Sequence, residues 1–265
     1  MRGRFGTSRD AWMQKYCSLI AALTTIFFAN TLYSKAFAAK NEISVNHEKR
    51  QLKVKDQVLD VIVSDLPARG SLRPLLVIAP AKKYLMDGRL FERIANEAAS
   101  LGYYVVRFNW SFTKQGVEPK LDLMAEANEL SAVREHYTKE PFIDRKRIIL
   151  AAKSFGSKVA MRGPYKGASA VLLMTPNCDA KETFSEIYGP LLNGPKILNI
   201  TISTFDPNCD VNQIYKSANS FDKNRITIHT LYGGHNFENS DGRDFNENTA
   251  VSSMVNWLHN LILTP

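Results

Sequence analysis

The sequence has little of what a metal site or a nucleic-acid surface requires. Its 265 residues include three cysteines, with no C-x-x-C pair and no group of histidines spaced like metal ligands, so we expect no metal site. No run of lysines and arginines is interleaved with aromatic residues, so we expect no nucleic-acid partner. Internal repeats and low-complexity segments are absent, and a hydrophobic content of 45% excludes a disordered chain.

Long apolar runs are absent except near the N-terminus. One run covers residues 17–33, after four basic residues and before Ala36-Phe37-Ala38. A basic flank, an apolar stretch and an A-x-A pattern predict a signal peptide over residues 1–38. We therefore expect a periplasmic or secreted protein without stable membrane association after cleavage. The alternative is an uncleaved segment that anchors the protein to the membrane through residues 17–33.

Residues 39–265 show the pattern of a single α/β domain. Between Ile43 and Val63 the residues come to alternate apolar and polar, which predicts two half-buried antiparallel strands. Pro74–Pro80 is a continuous apolar run, typical of a strand covered on both faces. Strands and helices then alternate, which predicts a mostly parallel sheet flanked by helices. We expect further strands at residues 103–108, 147–152, 170–175, 196–204 and 225–231, and helices at residues 87–101, 121–137, 155–162, 211–220 and 246–263.

The connections between these elements are short. The longest irregular stretch, residues 179–195, is the only one with room for a cap over a site, so we expect a minimal lid or none. Substrate specificity should depend on this stretch and on the loops at residues 82–90 and 109–120.

Ser154 lies where a buried strand runs directly into a helix, in the segment IILAAKSFGSKVAM. This is the context of a nucleophile elbow, a sharp turn that needs small residues two positions before and after the serine. Those positions hold Ala152 and Gly156, so the pattern departs from G-x-S-x-G only in its first residue. Judged on this segment alone, a serine that merely caps the helix is an equal alternative.

Two further residues strengthen the hypothesis of a nucleophile. Asp206 follows the predicted strand KILNITIST, and His235 follows the predicted strand RITIHTLY. The chain order is therefore Ser, Asp, His, each at the carboxyl end of a strand, as the α/β-hydrolase arrangement uses them. Asp210, four residues after Asp206, is the main alternative acid, and Asp179 is a more distant one.

The segments AAKSFGSKVA, ISTFDPNCD and LYGGHNFE resemble those of the α/β-hydrolase superfamily, especially its small lidless dienelactone-hydrolase-like members. The resemblance spans about Pro74–Leu261. It implies an α/β-hydrolase fold for residues 39–265, with Ser154 as nucleophile, Asp206 as acid and His235 as base. It also implies that a small-molecule ester, thioester or similar acyl compound is hydrolysed through an acyl-enzyme, with no cofactor.

The resemblance also implies an oxyanion hole, one of whose donors is the N–H of Phe155. Relatives often carry His-Gly after the strand that ends at Pro80, whereas this chain has Ala81 and Lys82 there. Because proline has no N–H, the second donor should be that of Ala81 or Lys82. This departure keeps two alternatives open: a hydrolase-like binding module without catalysis, or an acyltransferase acting on a cell-envelope acceptor.

Four basic residues and two cysteines also lie in or near the predicted site. The basic residues should attract an anionic substrate such as a carboxylate-bearing ester, with solvated surface charge as the alternative. They are Lys82, Lys83, Arg107 and Lys153. Cys178 and Cys209 follow strands that would be neighbours in this fold, so we expect a disulfide, with two separate thiols as the alternative.

Overall fold

The structure is a computed structural model that describes residues 44–67, 70–178, 183–192, 196–219, 224–238 and 247–263. The predicted signal peptide, residues 1–38, lies outside the described residues, and so does the alternative anchor at residues 17–33. The chain divides into two units, Met1–Ser44 and Val45–Pro265, and every element described below belongs to the second. No helix in the described part of the chain is long and apolar enough to span a membrane.

One sheet is formed by eight strands of the described residues. These are β1 (Asn46–Val54), β2 (Gln57–Asp65), β3 (Arg73–Ala79), β4 (Tyr104–Phe108), β5 (Ile143–Lys153), β6 (Ala170–Met174), β7 (Ile197–Ser203) and β8 (Ile226–Leu231). Their order is β1-β2-β4-β3-β5-β6-β7-β8. β2 is antiparallel to β1 and β4, and the other neighbours are parallel. The prediction of a mostly parallel sheet is confirmed.

Helices cover both faces of the sheet. Within the described residues they are α1 (Arg89–Ser100), α2 (Ser111–Gln115), α3 (Met124–Thr138), α4 (Phe155–Met161), α5 (Phe184–Leu192), α6 (Val211–Ala218) and α7 (Glu247–Leu263), with a short 3-10 helix at Pro164–Gly167. α1 and α7 pack on one face, and α3 to α6 pack on the other. Each face therefore has its own hydrophobic core.

β3 illustrates how a continuous apolar run becomes a central strand. All seven of its residues are buried. Leu75 and Val77 point into the core beneath α3 to α6, while Leu76 and Ile78 point into the core beneath α1 and α7. Because successive side chains point to opposite faces and both faces are covered, the strand has no need of polar residues.

The stretch at residues 179–195, predicted to be irregular, contains α5. Four of its residues are buried and follow helical spacing: Phe184, Tyr188, Leu191 and Leu192. Gly189 and Pro190 in the same segment are helix-breaking residues, which concealed that periodicity in the sequence. Because these side chains join the core beneath α3 to α6, α5 is part of the domain rather than a lid. The short helix α2 was also missed, since five residues carry too little periodicity to detect.

The site is positioned by the parallel part of the sheet. β3, β5, β7 and β8 all run in the same direction, so their carboxyl ends meet at one edge. Ala81, Ser154, Asp206 and His235 all follow these carboxyl ends within a few residues. Topology alone thus brings four distant segments of the chain together.

Candidate active site

Ser154 occupies a strained turn between β5 and α4. Its backbone has φ 49° and ψ −114°, a combination that costs an L-amino acid about 1–3 kcal/mol unless the surrounding structure enforces it. The residue is 8% exposed, and its N–H donates to the carbonyl of Met174 at the end of β6 (3.0 Å). The turn thereby holds the hydroxyl at the carboxyl edge of the sheet.

Gly156 explains how this turn can exist. A Cβ placed on Gly156 would lie 2.6 Å from the carbonyl oxygen of Pro80 and 2.7 Å from that of Ala79. The first turn of α4 therefore packs directly against the backbone that follows β3. Ala152, on the other side of Ser154, is fully buried in β5. Small residues at both positions fulfil a steric requirement.

His235 and Asp206 complete a chain of hydrogen bonds to Ser154. The Nε2 atom of His235 lies 2.7 Å from Ser154 Oγ, and its Nδ1 atom lies 2.8 and 2.9 Å from the two carboxylate oxygens of Asp206. A carboxylate only accepts hydrogen bonds, so Nδ1 carries the proton and donates it. Nε2 is left with a lone pair that accepts from the serine hydroxyl.

Burial of the acid fixes this arrangement. The Asp206 side chain is 0% exposed and that of His235 is 17% exposed. One oxygen of Asp206 also accepts from the N–H of Asn208 at 2.9 Å, which prevents the carboxylate from rotating. The carboxylate of Asp206 is therefore shielded from water, while part of the His235 side chain remains exposed.

The loops that carry Asp206 and His235 are joined to each other. Thr204 donates from its N–H and its hydroxyl to the carbonyl of Leu231, and Phe205 donates from its N–H to the carbonyl of Gly233 (3.0 Å). Gly233 has φ 141°, and a Cβ there would lie 2.6 Å from the carbonyl oxygen of Glu238. Glycine is thus required for the tight turn of residues 232–238, which we call the His loop.

Asp210, the main alternative acid, has another role. Its side chain accepts from the N–H of Asn212 at 2.9 Å and caps the N-terminus of α6. Of the two acids after β7, the structure therefore brings Asp206 to His235 and leaves Asp210 at a helix end. Asp179, the more distant alternative, lies outside the described residues.

The predicted oxyanion donors lie on two adjoining segments. Phe155 is the first residue of α4, where N–H groups lack intrahelical partners. Ala81 and Lys82 follow Pro80, whose carbonyl accepts from the indole N–H of Trp110 at 3.0 Å. Sequence reasoning missed Trp110, although its position just beyond β4, at the same edge of the sheet, could have indicated it.

Two of the four basic residues lie inside the protein rather than at the mouth of the site. Lys153 is 0% exposed and Arg107 is 3% exposed, and burial lowers the pKa of both side chains, to about 8 for Lys153. Lys82 forms an ion pair with Glu118, and Lys83 is exposed. Of the four, Lys82 and Lys83, in the loop after β3, are therefore the two that lie at the surface.

A disulfide joins Cys178 to Cys209, 31 residues later. Cys178 follows β6 and Cys209 follows β7, and these strands are neighbours. The N–H of Cys178 also donates to the carbonyl of Asn208 at 2.9 Å. Since Cys209 is three residues from Asp206, the disulfide braces the loop that carries the acid. Among the described residues, no cluster of histidine, cysteine and acidic side chains could hold a metal ion.

Comparison with known proteins identifies the fold. No protein-family model and no curated protein matches the sequence, but many solved structures match the fold. A lidless α/β serine hydrolase from Xanthomonas campestris has a TM-score of 0.60 at 19% identity, over 81% of this chain and 93% of that one. Est1E from Butyrivibrio proteoclasticus, with ferulic acid bound, has a TM-score of 0.66 at 11% identity, over 81% and 100%. Esterase 2 from Thermogutta terrifontis, phosphonylated by cyclosarin, has 0.62 at 15%, over 82% and 94%.

We predict that Gly156→Ala lowers stability. Alanine has the higher helix propensity by about 1 kcal/mol, but its Cβ would collide with the backbone after β3, and such overpacking typically costs about 1–3 kcal/mol. Urea unfolding measures the difference, with Ser252→Ala on the exposed face of α7 as the control. A Gly156→Ala protein as stable as the parent would contradict the steric account of the turn.

We predict that the double variant Cys178→Ala/Cys209→Ala loses about 3–4 kcal/mol of unfolding free energy, the chain-entropy estimate for a loop of this length. Urea unfolding of the parent protein with and without dithiothreitol should show the same loss. Dithiothreitol should leave the double variant unchanged, which controls for effects of the reductant elsewhere. Equal stability of the reduced and oxidised parent proteins would argue against a bracing disulfide.

Proposed function

We propose that this chain, which has the α/β-hydrolase fold, is a serine hydrolase that cleaves an ester, thioester or similar acyl substrate. The observation that carries the proposal is the unbroken chain of hydrogen bonds from Asp206 through His235 to Ser154, with the serine on a strained turn. The solved structures with this fold include serine hydrolases and esterases, which supports the same class of reaction.

In the first half of the reaction, Ser154 Oγ attacks the carbonyl carbon of the substrate while His235 Nε2 takes the hydroxyl proton. Asp206 holds the imidazole in the required tautomer and stabilises its charged form. The protonated imidazole then gives its proton to the leaving group, and an acyl-enzyme on Ser154 remains.

The negative charge that develops on the carbonyl oxygen needs donors that are already in place. The N–H of Phe155 at the start of α4 provides one, and the N–H of Ala81 or Lys82 provides the second. Trp110 donates to the carbonyl of Pro80, and Gly156 packs closely against the same carbonyl. Both contacts would position the loop that bears the second donor. Each such donor is worth about a hundredfold to a thousandfold in turnover.

In the second half, water replaces the leaving group. His235 takes a proton from the water as it attacks the acyl-enzyme, and Ser154 is released with its hydroxyl restored. No step requires a cofactor. The substrate is a small acyl compound, and the exposed Lys83 together with Lys82 would favour one with an anionic group.

We further propose that the protein is exported. The N-terminal segment has the pattern of a signal peptide, and the Cys178–Cys209 disulfide supports this, because disulfides persist in oxidising compartments such as the periplasm or the extracellular medium. The mature protein would begin at residue 39 and carry the whole site.

A fluorophosphonate probe tests the proposed nucleophile directly. We expect one adduct per chain, mapped by mass spectrometry to Ser154, because only an activated serine attacks such a reagent at an appreciable rate. Ser154→Ala should remove the adduct, and Ser252→Ala should retain it. A folded parent protein that stays unlabelled would favour the non-catalytic binding module. In a separate assay with an acyl ester and an added alcohol, transfer of the acyl group to the alcohol in competition with hydrolysis would favour the acyltransferase.

Two conservative substitutions should separate the proposed acid from its neighbour. Asp206→Asn should lower the rate of fluorophosphonate labelling by about a thousandfold to ten-thousandfold, because an amide can stabilise the wrong tautomer of His235. Asp210→Asn should leave the rate unchanged, since asparagine caps a helix as well as aspartate does. An equal loss in both variants would contradict the assignment of the acid.

A further inference from the structure

Lys153 carries an amino group into the interior, directly beside the proposed nucleophile. It precedes Ser154 in the chain, and the residue is 0% exposed. The Nζ atom donates to the hydroxyl of Thr175 at 2.8 Å and to the backbone carbonyl of His235 at 2.9 Å. One of its two partners is therefore the main chain of the proposed base.

A buried amino group costs free energy that an apolar side chain of the same size would not cost. Desolvation penalises the charged form and lowers the pKa of Lys153 to about 8, against the opposing effect of Asp206 and Glu238. Among the described residues, no carboxylate lies within ion-pair distance of Nζ. Methionine would fill the same space without this penalty.

The hydrogen bond to His235 joins three parts of the site. Lys153 is the last residue of β5, Thr175 directly follows β6, and His235 belongs to the His loop. The buried ring of Phe237, at the other end of that loop, lies 5.5 Å from Nζ. The side chain that contacts the main chain of His235 thus belongs to the residue before Ser154. The end of β5 therefore positions both the proposed nucleophile and the proposed base.

The ammonium of Lys153 faces three titratable side chains. They are Asp206 from the loop after β7, Glu238 from the His loop, and Tyr84 from the loop after β3, whose ring lies 5.9 Å from Nζ. The two carboxylates favour the charged form of Lys153. With a pKa of about 8, the amino group is largely protonated at neutral pH, and a charged donor strengthens its hydrogen bond to the His235 carbonyl.

We propose that Lys153 is a positioning residue of the site: its hydrogen bond to the His235 carbonyl holds the base against Ser154. This inference rests on the proposed function. It assigns to Lys153 a part in the reaction although the side chain never touches the substrate.

The test measures the rate of fluorophosphonate labelling of Ser154 between pH 5 and pH 9, in the parent protein and in Lys153→Met. Methionine removes both the donor and the charge. We expect the plateau rate to fall about tenfold to a hundredfold, the effect of a misplaced base. The melting temperature should equal or exceed that of the parent protein.

Two further variants test whether the hydrogen bond is what matters. Lys153→Gln keeps an N–H donor, so it should recover part of the plateau rate that Lys153→Met loses. Thr175→Val removes the other acceptor of Nζ and keeps the bond to His235, so it should lose less than Lys153→Met. Lys153→Gln also serves if circular dichroism shows that Lys153→Met is unfolded.

The outcomes distinguish this inference from the proposed function. Labelling of folded Lys153→Met at the parent rate would overturn the role of Lys153 and leave the hydrolase proposal intact, and so would an equal loss of rate in Lys153→Met and Lys153→Gln. A lowered plateau rate that Lys153→Gln partly restores, with a melting temperature at least that of the parent protein, supports the role of Lys153. A parent protein that is not labelled at Ser154 overturns both.

Discussion

The close approach of α4 to the backbone after β3 is the constraint on which the site depends. It is possible because Gly156 has no side chain, so the helix can begin within contact distance of the carbonyl groups of Ala79 and Pro80. This approach forces the turn at Ser154 into a conformation with positive φ. It also sets the first N–H groups of α4 beside the loop after β3. The positions of the proposed nucleophile and of the proposed oxyanion donors thus have one steric origin.

The other two members of the site lie on loops, and the structure supports those loops from several sides. Hydrogen bonds from Thr204 and Phe205 join the acid loop to the His loop. The disulfide of Cys209 braces the acid loop from the direction of β6. In our proposal, the hydrogen bond from Lys153 to the carbonyl of His235 supports the His loop. Rigid support matters here because the proposed proton transfer between Ser154 and His235 would tolerate little change in distance.

Several of these features oppose stability. A serine with positive φ, a carboxylate with no exposed surface and a buried lysine would each be replaced in a protein selected for stability alone. The hydrophobic cores, one on each face of the sheet, can offset the free-energy cost of these groups. Unfavourable groups clustered around one hydroxyl are typical of sites where a reactive geometry is maintained by the surrounding fold.

The sequence by itself determined what depends on neighbouring residues: the alternation of strands and helices, the small residues around Ser154, and the order Ser, Asp, His. It missed α5, because Gly189 and Pro190 interrupt a helical pattern that only packing against the sheet makes stable. The tertiary structure alone decided between Asp206 and Asp210, which follow the same strand: one reaches His235 and the other caps α6. It also decided the pairing of the cysteines and the destination of the Lys153 side chain. Each of these depends on contacts between segments that are distant in the chain, and such contacts are set by the folded sheet rather than by residue spacing.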